Sequence, residues 1–197
     1  MNPPTEHVRI DIAQRRELLA LARQSIETGL RERCWTSLPT PPTGGVLSEP
    51  GATFVTLRKA GELRGCCGSL EARQSLASDV WRNAWASAFS DPRFPPLVGP
   101  EYPDIDVHIS ALSPLEPLPP MSEAELLRAL RPGVDCLVLR RAPSQATFLP
   151  SVWEQVPDAS DFLRHLKRKA GWSPQFWADD IQVLRYTVED FGEHDSH

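Results

Sequence analysis

The sequence predicts an α+β protein with a largely antiparallel, mixed sheet flanked by helices, and three observations predict it. Apolar stripes at helical spacing mark helices at Ile12 to Thr28, at Ser75 to Phe89 and after Asp158. Alternating stretches rich in Val, Ile, Thr and Phe mark strands at Thr53 to Arg58 and Ile105 to Ala111, and Glu62 to Leu70, a short loop after the first, reads as its hairpin partner. The two kinds of element mix without the regular βαβ rhythm of a parallel sheet.

Taken in order, the first helix carries Leu18, Leu19, Ala22 and Ile26 on one face, and Gly29 is placed to stop it. The run Leu38 to Gly45 holds three prolines and two glycines and must be loop. The next two strands flank Lys59-Ala60-Gly61 and read as a β-hairpin with a three-residue loop. Centring the turn on Ala60 sets Arg58 opposite Glu62, Thr56 opposite Arg64 and Phe54 opposite Cys66. Side chains alternate along a strand, so Val55, Leu57, Leu63 and Cys67 form a core face. Phe54, Thr56, Arg58, Glu62, Arg64 and Cys66 form the opposite, mostly polar face.

Ser75 is placed to cap the second helix, with Asp79 near its positive end and Asp91-Pro92 beyond its last turn. Ile105 to Ala111 is a strand sealed by Pro114. Ser122, with Glu125 three residues on, opens a short helix to Leu130. Asp135 to Arg140 and Ala146 to Leu149 are short strands. Asp158 caps a helix with Phe162, Leu163, Leu166 and Ala170 on its core stripe, and Gly171 stops it. On that helix Arg164, Lys167, Arg168 and Lys169 read as a solvated basic face. Ile181 to Val188 is the last strand, followed by a frayed tail after about residue 191.

Composition narrows the function classes. The 197 residues are 41% hydrophobic and 24% charged, enough for a sizeable core. Against 21 Lys and Arg stand 26 Asp and Glu, a net charge of −5, which disfavours a broad nucleic-acid or anionic-membrane footprint. No apolar run approaches the ~20 residues that span a bilayer, and Met1 to Glu6 lacks the features of a signal peptide. The four cysteines, two of them adjacent, fit a reduced cytoplasmic protein better than a disulfide scaffold. They contain no Cys-x-x-Cys pair, so neither a metal site nor a cofactor is expected. The 20 prolines predict stiff, defined loops.

The candidate chemistry centres on Leu63-Arg64-Gly65-Cys66-Cys67-Gly68. Cys66 falls two residues from Arg64 on one face, and a neighbouring cation favours the nucleophilic thiolate. Gly65 and Gly68 bracket the pair and would open the backbone N–H groups to a ligand. A free cysteine is as often a small buried hydrophobe, and both readings of Cys66 stay open. Cys67, on the core face, reads as filler. Asp91 and Arg93, in a rigid loop, either present polar groups to a cleft or satisfy the turn itself. Asp106, His108 and Ser110 share one face of a strand, but side chains in line point outward in parallel and do not converge as a Ser-His-Asp triad must. No general base for Cys66 is evident.

Several landmarks occur together in one order. They are Phe54-Val55-Thr56-Leu57, Leu63-Arg64-Gly65-Cys66 with Gly68-Ser69, and Asp91-Pro92-Arg93-Phe94-Pro95-Pro96. Leu112-Ser113-Pro114, Pro132-Gly133-Val134-Asp135, Thr147-Phe148-Leu149-Pro150 with Val152-Trp153, and Leu166 to Gly171 complete the series. On these residues the chain resembles the AMMECR-domain family, in its prokaryotic form AmmeMemoRadiSam system protein A, from about Leu18 to Phe191. The resemblance implies one domain over 1–197 made of two closely packed subdomains. It also implies a genomic association with a Memo-like protein and a radical S-adenosylmethionine protein, which are candidate partners, and a site around the first motif. Cys66 would be its reactive residue, with Arg64, Gly65, Gly68, Ser69, Asp91 and Arg93 lining it. Two departures stand out: Cys67 replaces a usual isoleucine, and Pro143-Ser144-Gln145 replaces a stretch that tends to hold Gly and Arg. A binding module and a cysteine-dependent enzyme are the two functions to separate.

Overall fold

A computed structural model describes residues 10–149 and 151–195. The expectations for Met1 to Glu6, Pro150 and the last two residues of the tail lie outside these. The chain divides into two units, residues 10–112 with 189–195, and residues 113–188.

In the first unit α1 (Ile12–Glu32) opens with a capping box between Asp11 and Gln14 and buries the expected stripe of Leu18, Leu19, Ala22 and Ile26. Strand β1 (Pro50–Gly51) pairs with β4 (Gln74–Ser75), and between them run β2 (Thr53–Lys59) and β3 (Glu62–Gly68). Ser75 caps α2 (Leu76–Phe89) as the sequence predicts, and β5 (Ile105–Leu112) follows. With β10 (Val188–Gly192), contributed by the end of the chain, these strands form a sheet in the order β10-β5-β2-β3. Val55, Leu57, Val107 and Ile109 are fully buried in one core with Val80 and Ala84 of α2 and Ala22 and Ile26 of α1. Each of the valine, leucine and isoleucine side chains among them contributes about 1.5–3 kcal/mol.

Three expectations for this unit are corrected. Gly29 does not end α1: the helix runs on to Glu32, and Arg33 takes the left-handed C-cap conformation at φ 57°. Gly29 is instead a packing residue, because a Cβ there would overlap the Phe89 ring and come within 2.8 Å of Trp85. The hairpin loop has two residues, Ala60 and Gly61, both at positive φ, as a primed turn requires. It sets Lys59 opposite Glu62 and Arg58 opposite Leu63. A bulge then leaves Arg64 without a cross-strand partner, and pairing resumes at Leu57–Gly65, Thr56–Cys66 and Val55–Cys67. The turn moves Leu63 off the core face, where it is 38% exposed. The bulge restores the alternation, so Cys66 and Cys67 keep their expected faces. Finally, the tail is tied down at two of its described residues: Glu193 bonds to Arg23 and to the Val107 N–H, and His194 to Asp106.

The second unit holds a four-stranded sheet of its own in the order β6-β9-β7-β8, antiparallel throughout and flanked by helices as the sequence predicts. Its strands are β6 (Glu116–Pro117), β7 (Cys136–Arg141), β8 (Ser144–Thr147) and β9 (Gln182–Tyr186). The predicted final strand therefore breaks at Thr187, and its continuation belongs to the first sheet. Helices α3 (Glu123–Ala129), α4 (Ser151–Gln155) and α5 (Ala159–Lys169) complete the unit. Ser122 and Asp158 cap α3 and α5 as expected. The Trp153 and Phe162 rings stack at 3.8 Å in the core. Lys167 is not on a solvated face: it is fully buried, 2.7 Å from Glu123 and donating to the Pro174 carbonyl.

Candidate functional site

Strand β3 is the edge of the first sheet, and an edge leaves backbone donors open unless something covers it. Here α2 and the segment that leaves it provide the cover. Asp79, Asn83 and Ser87 stand four residues apart, share one helix face and are all buried. Asp79 accepts from the N–H and hydroxyl of Thr53, each at 2.8 Å. Asn83 donates to the Thr53 carbonyl at 3.0 Å. Ser87 donates to the Val55 carbonyl at 2.7 Å and accepts from the Cys67 N–H at 2.8 Å. Asp91, four residues further and beyond the helix end, accepts from the Cys66 N–H at 2.9 Å.

That last bond joins the two motifs. Asp91 also holds Arg93 through its backbone N–H at 3.1 Å, its Nε at 2.9 Å and its Nη2 at 2.7 Å. The Asp91 side chain is 3% exposed and the Arg93 side chain 54%. Donation from Arg93, with the Cys66 and Arg93 N–H groups behind it, holds the Asp91 carboxyl far below the usual carboxylate range. An acid so stabilised, with both oxygens engaged, is a clamp and not a proton acceptor. The guanidinium it fixes also lies 3.4 Å from the Cys66 carbonyl oxygen.

Cys66 is partly exposed on the face it shares with Thr56, whose hydroxyl donates to the sulfur at 3.4 Å. Cys67 sits on the opposite face opposite Val55, where burial, and then the Asp91 charge, push its thiol up. One strand beyond Thr56 comes His108, in register with it. Its ring lies against Gly192 of β10 so closely that a Cβ there would come within 2.5 Å, which places the imidazole on the side of β5 away from Cys66. The neighbours of His108 in sequence are engaged separately: Asp106 with His194 at 2.6 Å, Ser110 with Asp190 at 2.9 Å.

The structure therefore brings Cys66, Asp91 and Arg93 together. Arg64 belongs to a neighbouring cluster. Its expected place beside Cys66 is lost because it occupies the bulge, only 8% exposed, bonded to Glu101 at 2.9 and 3.2 Å and to the Pro95 carbonyl at 3.0 Å. Donation from Arg64 pulls the Glu101 carboxyl down to about 2. The glycines do not open the backbone to a ligand, since Asp91 and Ser87 take the two N–H groups. Gly65 is required because a Cβ would overlap the Ser87 carbonyl oxygen, and Gly68 because it would overlap the Phe54 ring. Ser69 donates its N–H to the Thr53 carbonyl and receives Asn83, so it belongs to the stitching of helix to sheet.

Sequence reasoning missed Thr56, Ser87 and Glu101. A signal existed for Ser87: polar residues at 79, 83, 87 and 91 repeat every fourth position, beside the apolar stripe of Leu76, Val80, Ala84 and Ala88. Among the described residues, no group of three His, Cys, Asp or Glu side chains is placed to hold a metal ion, and no helix is long and apolar enough to cross a membrane.

Comparison with known proteins places this geometry in context. The AMMECR1 family model matches residues 19–191. A protein of Methanothermobacter thermautotrophicus is 38% identical over 180 residues, covering 90% of this chain and 93% of its own. A Thermotoga maritima protein is 41% identical over 138 residues, covering 69% of this chain and 74% of its own. The crystal structure of the uncharacterized protein PH0010 from Pyrococcus horikoshii superposes with a TM-score of 0.81 at 31% identity, covering 90% of each chain. The matched span includes both motifs that build the Cys66–Asp91–Arg93 cluster, and the chain belongs to the AMMECR1 family.

Proposed function

We propose that this protein is a cytoplasmic binding component that recognises an anionic group, carboxylate or phosphate, at Arg93 beside Cys66. In this reading it serves a Memo-like protein and a radical S-adenosylmethionine protein, either by docking one of them or by presenting a substrate. The observation that carries it is the asymmetry of the Asp91–Arg93 pair. The carboxylate is buried and saturated, while the guanidinium is fixed in direction and open to solvent. Arginine held in this way is suited to planar, charge-assisted recognition.

A second reading, a cysteine-dependent enzyme, is favoured by one feature: a partly exposed thiol that receives a hydrogen bond from Thr56 within reach of a cation. It lacks a base, because Asp91 is a clamp and His108 lies over Gly192. Titration calorimetry of the protein with each of the two partners, followed by activity of the reconstituted system, separates the readings. Arg93→Ala is expected to weaken binding about tenfold or more, as loss of a charge-assisted contact does. Cys66→Ser is expected to leave binding and activity intact. Normal binding with abolished activity in Cys66→Ser would establish the enzyme instead.

A further inference from the structure

A cavity of about 540 Å³ lies within the first unit, and no residue of the Leu63 to Gly68 motif lines it. Its walls are Gly29 and Leu30 of α1, Trp85 and Phe89 of α2, and Pro96 to Gly99 of the segment that leads to β5. Such a volume falls in the range of small-molecule sites, and its walls are apolar and aromatic. Gly29 lets the Trp85 and Phe89 rings pack directly against the backbone of α1, and together they form one wall of the cavity.

Among the lining residues only Arg33 and Trp85 have polar side chains, and both are pure donors. The Trp85 indole nitrogen has no hydrogen-bond partner but is closed to solvent, so the ring meets an occupant through its carbon face and Arg33 supplies the polar contact. Arg33 makes no ion pair among the described residues, and it stands in the left-handed conformation that a glycine would hold with less strain. A positive side chain at a strained cap, over an apolar cavity free of carboxylates, gives the occupant its charge.

We infer that this cavity binds a small amphipathic acid: a flat aromatic or alkyl body against Trp85, Phe89 and Leu30, with a carboxylate or similar anion toward Arg33. The inference is independent of the Cys66–Arg93 reading, since no residue is shared between the two sites.

The test uses two dyes with a common aromatic body, 1-anilinonaphthalene-8-sulfonate, which is anionic, and N-phenyl-1-naphthylamine, which is neutral. Fluorescence titration of the full chain is expected to show one saturable site for the anionic dye. Arg33→Gly relieves the cap while removing the charge, so the variant folds and isolates the electrostatic contribution. It is expected to weaken the anionic dye about tenfold and leave the neutral one unchanged. Gly99→Trp is expected to fill the cavity and abolish both, because a side chain at Gly99 enters open space and need not disturb the fold. Cys66→Ser is expected to change neither dye. Equal loss of both dyes in Arg33→Gly, or undiminished binding in Gly99→Trp, would overturn the assignment.

Discussion

Arg64 and Arg93 approach the same Phe94 ring, at 5.9 and 5.6 Å from its centroid, and each is bound to a carboxylate. They differ in which partner faces water. In the Arg64–Glu101 pair the guanidinium is 10% exposed and the carboxylate 23%, so the cation is spent inside the protein. In the Arg93–Asp91 pair the carboxylate is 3% exposed and the cation 54%. Two pairs of the same chemistry thus do opposite work: one ties the bulge of β3 to the segment at Pro95 and Glu101, and the other holds a charge out to solvent. A motif arginine cannot be assigned a role from its neighbours in sequence, because the burial of its partner decides the role.

That contrast can be tested by substitution. Asp91→Ala should cost the most, about 3 kcal/mol in urea unfolding, because it strands the Cys66 N–H and the donors of Arg93 at once. Gly65→Ala should follow at about 1–3 kcal/mol, since its Cβ meets backbone and not a side chain that can turn aside. Arg64→Ala should cost about 2 kcal/mol through the loss of bonds to Glu101 and Pro95, and should leave partner binding unchanged. Arg93→Ala should cost about 1–2 kcal/mol, because it leaves the buried Asp91 carboxylate to its two backbone donors, and should damage binding. If Arg64→Ala damages binding and Arg93→Ala does not, the contrast is reversed.

Acid sharpens the same comparison. The folded-state value of Glu101 is depressed, so its contribution is complete above the unfolded value of ~4.3 and is lost as pH falls toward the folded value of about 2. Stability should fall through that window, and Glu101→Gln should flatten the slope. Asp91 acts in the same direction below ~3.9. An unchanged slope in Glu101→Gln would detach Arg64 from the role given to it.

Features set by local chemistry were legible in the sequence. Ser75, Ser122 and Asp158 were readable as helix caps because a cap is defined within four residues. The faces of Cys66 and Cys67 came out correctly, although the predicted partners were two residues off. The turn and the bulge each moved the register by one, and neither shift is marked by residue type alone. What resisted reading depends on distant contacts. Gly29 is mid-helix because Phe89 crosses it, and Lys167 is buried because Glu123 and Pro174 receive it. The candidate residues Cys66, Asp91 and Arg93 were each visible in their motifs. Their union depends on two bonds between distant positions, from the Cys66 N–H to Asp91 and from Arg93 to the Cys66 carbonyl.

The central claim is that Arg93 offers its charge to an anion arriving beside Cys66. Mass-spectrometric alkylation rates measure it directly, using iodoacetate, which is anionic, and iodoacetamide, which is neutral, at neutral pH. Cys34, exposed and remote from the motif in sequence, serves as the reference. The ratio of iodoacetate to iodoacetamide rates should be higher at Cys66 than at Cys34, and Arg93→Ala should lower it at Cys66 about fivefold, the effect of a unit charge near 4 Å in water. A ratio at Cys66 that Arg93→Ala leaves unchanged, or that falls in Arg64→Ala instead, would contradict the account.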